Sequence, residues 1–310
     1  MAVPRKGVAV LLKSFLRWAI VGGTLFFLAQ TLREHWQEVA TLRLRDRGWL
    51  FLLGGFAVTL VAHIWSGWVW SWILREFNQS VGGRWAIRVY LKTNIAKYLP
   101  GNVWHFYGRA IAVQQQGVPL AIATVSVLLE PLLMAAAALI VIIFNQPPTQ
   151  MGWALLVLPL ILLGVHPWGL NPLLRWMGRR KRNCAAVAVK RYPLLPLLGE
   201  IGFLGLRGTG FVLAMLALSP VAVAQTPQLV SAFSLAWLLG LVIPGAPGGL
   251  GVFESTAIAL LDREFSPGAI LGVVALYRLV GTLAEVVGAA LSWLHERWYD
   301  RNSKTDATGS

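Results

Sequence analysis

The sequence predicts an all-α polytopic membrane protein with about six full spans and two opposed re-entrant broken segments in an inverted repeat. Three observations carry this. The first is composition: 56% of the residues are hydrophobic and only 13% charged, where soluble domains carry about 25%. Runs nearly free of charge cover Val118–Gln146 (only Glu130 ionises), Met151–Leu174 and Gly208–Phe253. A span needs about 20 apolar residues, so the last run has to turn back or break. The second observation is a pair of proline-glycine breaks inside apolar sequence: Lys97-Tyr98-Leu99-Pro100-Gly101-Asn102-Val103-Trp104-His105-Phe106-Tyr107-Gly108-Arg109, and Ile243-Pro244-Gly245-Ala246-Pro247-Gly248-Gly249-Leu250-Gly251-Val252-Phe253-Glu254. Backbone freed by such breaks cannot face lipid, because its N–H and C=O groups find no partners there; it has to line a cavity or pack inside protein. The third is the placement of basic residues between the apolar runs, where the positive-inside rule puts them.

Taken in order, full spans are expected near 14–32, 49–74, 118–145, 151–168, 200–219 and 268–294. The broken segments fall near 89–113 and 229–261. Arg5, Lys6, Lys13 and Arg17 precede the first apolar stretch in the manner of a signal peptide. No small-x-small cleavage site follows it, so a retained span is expected. The loop 175–191 carries seven basic residues and no acid, which marks it cytoplasmic. The connections Asn145–Gln150 and Ser219–Gln228 carry no charge, as expected outside. Arg75, Arg84, Arg88 and Lys92 put the end of the second span inside, and Arg297, Arg301 and Lys304 do the same for the tail. From an inside N-terminus, this threading holds only if each broken segment returns to the side it entered. Arg33, Arg43, Arg45 and Arg47 in the first outer loop, interspersed with Glu34, Glu38 and Asp46, run against the rule.

One transmembrane domain, 1–310, is expected, with a first repeat at about 49–145 and a second at about 200–294. Residues 302–310 read as a disordered tail. Opposed broken segments in corresponding places of two halves mark the binding site of many transporters.

The run KYLPGNVWHFYGR, the later PGAPGGLGVFE and Tyr277-Arg278-Leu279 resemble the lysylphosphatidylglycerol synthase transmembrane-region family. That family includes the flippase-like half of the multiple peptide resistance factor and stand-alone membrane proteins. The resemblance covers roughly residues 10 to 295. It implies a multi-pass protein of the bacterial cytoplasmic membrane, both termini cytoplasmic, with lipid translocation as its activity. Two features depart from the family. The synthases carry a soluble aminoacyltransferase domain after the membrane region, and the sequence leaves no room for one. Glu130 is followed by Pro131, where the family often has a basic residue.

An ionisable side chain at the centre of a span costs about 2.5–3.5 kcal/mol on insertion scales, so its default reading is functional and its alternative a structural ion pair. The candidate substrate-binding set is Arg109, Glu254, Glu130, Gly248, Gly249, Gly251, Pro100, Gly101 and Arg278. Arg109 ends the first break and can hold a phosphate with two parallel hydrogen bonds, or snorkel at a helix end. Glu254 can meet a cationic headgroup, couple a proton or pair with an arginine of the other hairpin. Glu130 sits centrally in its span and is expected to be buried. Arg278 and Glu285 lie seven apart on one helix face, which favours helix-to-helix pairing. Arg207 reads as a snorkelling residue near the cytoplasmic start of its span. The glycines of the second break either expose N–H groups to an anion or serve close packing. His105 and Trp104 can touch a headgroup or be structural.

The net charge of +14 comes without a nucleic-acid motif, so no nucleic-acid partner is expected. His63, His166 and His295 have no metal-ligand spacing, so no metal site and no cofactor are expected. The single cysteine, Cys184, excludes an internal disulfide. No nucleophile motif, dinucleotide loop or P-loop appears, and no catalytic constellation, so an enzyme is not expected. The expected partner is a membrane phospholipid or another charged-headgroup amphiphile, with a homo-oligomer or a separately encoded enzyme as further partners. The alternatives are an integral-membrane transferase acting on lipid-linked substrates and a permease for a small polar solute.

Overall fold

Helices form wherever the apolar runs lie. The computed structural model describes residues 30, 33, 36–98, 103–145, 152–179, 188–243 and 247–308. Its helices are α1 (Trp36–Thr41), α2 (Gly48–Glu76), α3 (Gly83–Asn94), α4 (Trp104–Gln115), α5 (Leu120–Asn145), α6 (Gly152–Val165), α7 (Pro167–Arg179), α8 (Leu194–Leu218), α9 (Thr226–Val242), α10 (Val252–Leu261) and α11 (Pro267–Thr308). No strand occurs among the described residues. The protein is an all-α polytopic membrane protein.

Gly48–Glu76, Leu120–Asn145, Leu194–Leu218, Val223–Val242 and Pro267–Trp298 are each long and apolar enough to cross a bilayer. α6 alone is 14 residues, about 21 Å at 1.5 Å per residue, and reaches spanning length only together with α7, to which it is bent by 52°. The expected first span, 14–32, apart from residue 30, and Pro100, Gly101 and Cys184 lie outside the described residues. α11 runs on through Thr308, so most of the segment expected to be a disordered tail is helical.

Two hairpins occupy the positions of the broken segments. In the first, a 3₁₀ turn at Ile95–Tyr98 ends α3, and α4 packs back against α3. Each limb is 12 residues, about 18 Å and too short to cross. In the second, a turn at Pro247–Gly249 separates α9 from α10, and these again pack together. Here the hairpins differ. With its preceding turn, α9 is long enough to span, and α10, at 10 residues, is not.

The packing repeats when α2–α5 is exchanged with α8–α11. The pairs α2–α3 and α8–α9 correspond, as do α4–α5 and α10–α11. So do the cross pairs α2–α11 with α8–α5 and α3–α11 with α9–α5. The most extensive contact joins α2 to its own counterpart, α8. These two run antiparallel. A side chain on Gly48 would meet the Ala217 carbonyl, one on Gly55 would meet Leu213, and one on Gly199 would meet Val69. Equivalent helices packed antiparallel are what an inverted repeat requires; a parallel repeat would place them side by side in the same direction.

Small residues set this central seam. Glycines at 48, 55, 199, 202 and 210 admit the partner helix closely. Trp65 fills the space over Gly202 and donates its indole N–H to the Gly199 carbonyl at 2.7 Å. Trp70, Phe77, Phe211 and Phe233 are among the largest fully buried side chains.

Candidate functional site

The two turns meet. A cavity of about 850 Å³ opens where they do, bounded by both turns and by all the helices of the two repeats, α2–α5 and α8–α11. Ionisable side chains project into it from both repeats: Lys97, Arg109 and Glu130 from the first, and Arg207, Arg278 and Glu285 from the second. Its rim is apolar. Tyr98, Val103, Val242 and Leu250 all line it and are each more than a third exposed.

In the first repeat, Arg109 on α4 bonds Glu130 on α5 through Nη1 and Oε2. Both are almost completely buried. The guanidinium carbon lies 4.6 Å from the Tyr90 ring centre and 5.3 Å from that of Phe106, a cation–π enclosure that offsets part of its desolvation. Ser66 Oγ stands 3.5 Å from Glu130 Oε1 and 2.9 Å from the Tyr90 hydroxyl. Arg109 therefore does not snorkel. Its charge is neutralised inside the protein, at the cavity wall.

The second repeat makes the same pair with the charges exchanged. Glu254 is the third residue of α10, and its Oε2 accepts the Gly251 N–H at 2.6 Å, capping the helix start. Its Oε1 accepts Arg278 Nε at 2.6 Å. Arg278, on α11, also donates through Nη1 to the Gly248 carbonyl and through Nη2 to the Gly249 carbonyl, both at 3.0 Å. The partner of Glu254 is thus an arginine of the following helix, not of the other hairpin. Arg278 and Gly248 and Gly249 line the cavity; Glu254 and Gly251 stand behind them.

This arrangement explains the glycines. Gly248, Gly249 and Gly251 have φ of +60°, +69° and +80°, a region that side chains disfavour. A Cβ on Gly249 would sit 2.9 Å from Gly240 Cα. The N–H of Gly251, expected to be open to an anion, is taken by Glu254, and two carbonyls of the break face Arg278. The glycines serve close packing and the seating of Arg278.

α11 also holds the first turn. Glu285 Oε1 accepts Lys97 Nζ, and His63 Nε2 approaches it to 3.2 Å without hydrogen-bond alignment. Tyr98 Oη and Thr282 Oγ1 are 3.1 Å apart and hydrogen-bonded. One face of α11 therefore grips both turns, through Arg278 on one side and Thr282 and Glu285 on the other. Lys92 and Glu296 pair further along the same helix, between α3 and α11.

Arg207 departs from the sequence reading. α8 begins at Leu194, before the expected start at 200, so Arg207 stands 13 residues in, about 20 Å along the helix. It is buried and lines the cavity. Nothing in the sequence sets Lys97 or Glu200 apart, and His63 stands out there only as a histidine without metal-ligand spacing. Lys97 was hidden by its place in a motif read for its proline and glycine. Glu200 is fully buried on α8, and no hydrogen bond reaches either oxygen among the described residues. His105, on α4, lines the cavity and packs against Phe106 with ring centres 3.9 Å apart and the planes tilted by 40°. No group of His, Cys, Asp and Glu able to hold a metal occurs among the described residues.

Compared with models of protein families and with curated proteins, the sequence gives no match.

Proposed function

We propose that this chain is a flippase-like lipid translocase of the bacterial cytoplasmic membrane, moving an amphiphile with a charged headgroup. The observation that carries the reading is the cavity itself. It combines an ion-rich interior with an exposed apolar rim, at the meeting point of two turns from inverted repeats. Its volume suits a headgroup, since small-molecule sites occupy roughly 300–1,000 Å³. An apolar rim lets acyl chains stay in lipid while the headgroup occupies the polar interior. Intramembrane ionisable groups at the junction of inverted repeats are the usual place of transporter sites. The motif resemblance to the lysylphosphatidylglycerol synthase membrane region points to the same activity. In this reading both termini are cytoplasmic, the chain is not itself an enzyme, and the cargo is a membrane phospholipid or similar amphiphile.

The test is reconstitution in vesicles containing a trace of headgroup-labelled phospholipid, with an impermeant quencher added outside. Translocation exposes the inner-leaflet label, so the quenched fraction should rise from about half towards completion as the protein-to-lipid ratio increases. A quenched fraction equal to that of protein-free vesicles would end the lipid reading. Release of trapped glycerol 3-phosphate without lipid exchange would instead identify a solute permease.

A further inference from the structure

Four cations line the cavity, and three have carboxylates. Lys97 is paired with Glu285, Arg109 with Glu130, and Arg278 with Glu254. Arg207 is the fourth. It is nine-tenths buried, and neither its Nε nor its Nη1 makes a hydrogen bond among the described residues. Its guanidinium lies 4.7 Å from the ring centre of Tyr277, whose own hydroxyl is also buried without an acceptor. Gly281 faces the same guanidinium: a Cβ there would stand 3.6 Å from Nη1. Tyr277 and Gly281 both line the cavity. The remaining buried acid, Glu200, lies outside the lining, and the charged groups that act on it are Glu130 and Arg109.

A guanidinium buried without a counter-ion is costly, and the cost is relieved by an anion that reaches it. Here Arg207 Nε and Nη1 make no aligned hydrogen bond, and the Tyr277 hydroxyl, whose polar neighbour is that guanidinium, has no acceptor for its own proton. These donors match the oxygens of a tetrahedral oxyanion, and a guanidinium edge binds phosphate through parallel hydrogen bonds. One unneutralised cation calls for one negative charge. We infer that Arg207, with Tyr277, is the binding site for a phosphate group carrying a single net negative charge, as in an anionic phospholipid headgroup. The inference rests on the translocase reading for the lipid source, and free phosphate shares the same chemistry. A zwitterionic headgroup would bring its own cation into a cavity that already has one to spare, so it binds less well.

The experiment measures binding to the purified full chain in detergent, by calorimetry. The probes are short-chain phosphatidylglycerol, short-chain phosphatidylcholine and inorganic phosphate. The parent should prefer phosphatidylglycerol to phosphatidylcholine. Arg207→Gln should weaken phosphatidylglycerol binding by about tenfold or more, the scale of hydrogen bonds to a charged group, and Arg207→Lys should keep part of it. Gly281→Asp places a carboxylate beside the guanidinium and should abolish binding as an internal counter-ion. It decides the matter if Arg207→Gln does not fold. Inorganic phosphate binding as tightly as phosphatidylglycerol, and lost in the same variants, would support the oxyanion site and identify a soluble anion as its occupant. Phosphatidylglycerol binding unchanged in Arg207→Gln or in Gly281→Asp would overturn the inference. The vesicle assay runs separately. Arg207-dependent binding without translocation would remove the translocase reading and keep the site, and translocation indifferent to Arg207 would do the reverse.

Discussion

Arg109–Glu130 and Glu254–Arg278 are one ion pair built twice, with acid and base exchanged. In each repeat the second limb of the hairpin supplies one partner and the following helix the other. The two pairs differ in what surrounds them. Arg109 is enclosed by aromatic rings, and Arg278 is held by backbone carbonyls of the break. Removing one partner of a buried pair leaves the other uncompensated, which costs about 3–5 kcal/mol, whereas removing both costs less. The Arg278 side chain is a quarter exposed, so Glu254→Gln should lower the melting temperature in detergent by less than the loss of Glu130 from its fully buried pair. Combining it with Arg278→Gln should cost clearly less than the sum of the two single changes. Additive losses in that double-mutant cycle would mean that the two side chains act independently.

The sequence marked both acids and both arginines, because ions in apolar runs stand out. It did not reveal their partners. The residue four or seven positions away on a helix can be counted, but a partner 21 or 24 residues away on another helix depends on where the hairpin turns. The charge exchange also hides the repeat. Superposing Pro247-Gly248 on Pro100-Gly101 brings Tyr277 onto Glu130, beside Arg278, with no identity to reveal the equivalence.

At the scale of elements, the breaks are structural fasteners as much as interruptions. The second turn is held by left-handed glycines, the Gly240 contact and Arg278, and the first by Lys97 and Tyr98 against α11. Gly249→Ala would meet Gly240 Cα at 2.9 Å in a backbone conformation that side chains disfavour. The left-handed backbone alone costs about 1–2 kcal/mol, and overpacking adds about 1–3 kcal/mol. Gly205, within α8, has nothing within 4 Å of its would-be Cβ. Gly205→Ala should stabilise the protein by about 0.5–1 kcal/mol. Thermal unfolding of the two alanine variants should thus move in opposite directions. A neutral Gly249→Ala would show that the turn adjusts freely. The unequal lengths of α9 and α10 were not legible in sequence, because the whole stretch from Gly208 to Phe253 is apolar. No charge marks where one limb ends.

At the scale of the whole molecule, the antiparallel seam of α2 on α8 relates the two repeats. A Cβ on Gly55 would lie 3.8 Å from Leu213 Cβ, close to the mean of about 3.8 Å found in disulfides. With Cys184 replaced by Ser, cysteines at 55 and 213 should cross-link under mild oxidation, while a control pair at 55 and 198 should not. Absence of the 55–213 bond would contradict the antiparallel packing. The same cysteine-free background tests sidedness. Gln225 bonds Glu264 at 2.9 Å, so cysteines at these positions should be labelled from one face. The basic loop that includes Arg191 should be labelled from the other face. Labelling of all three from the same side would refute the threading.

Composition alone determined that the chain is an all-helical, multi-pass membrane protein. A bilayer excludes unpaired backbone and unpaired charge, so any sequence made for it shows its spans as uncharged runs and its special places as prolines, glycines and ions. The sequence also singled out the two broken segments and marked Arg109, Glu130, Glu254 and Arg278 as candidates. Only the tertiary structure decided how they are joined. It set Arg278 into the second break, bound the first break to α11 and paired three of the cavity's four cations with carboxylates. It carried Arg207 from an expected helix end into the cavity. The physical reason is that burial and pairing depend on distances between helices far apart in the chain. Those distances follow from how the glycine-lined seam of α2 and α8 brings two inverted halves together.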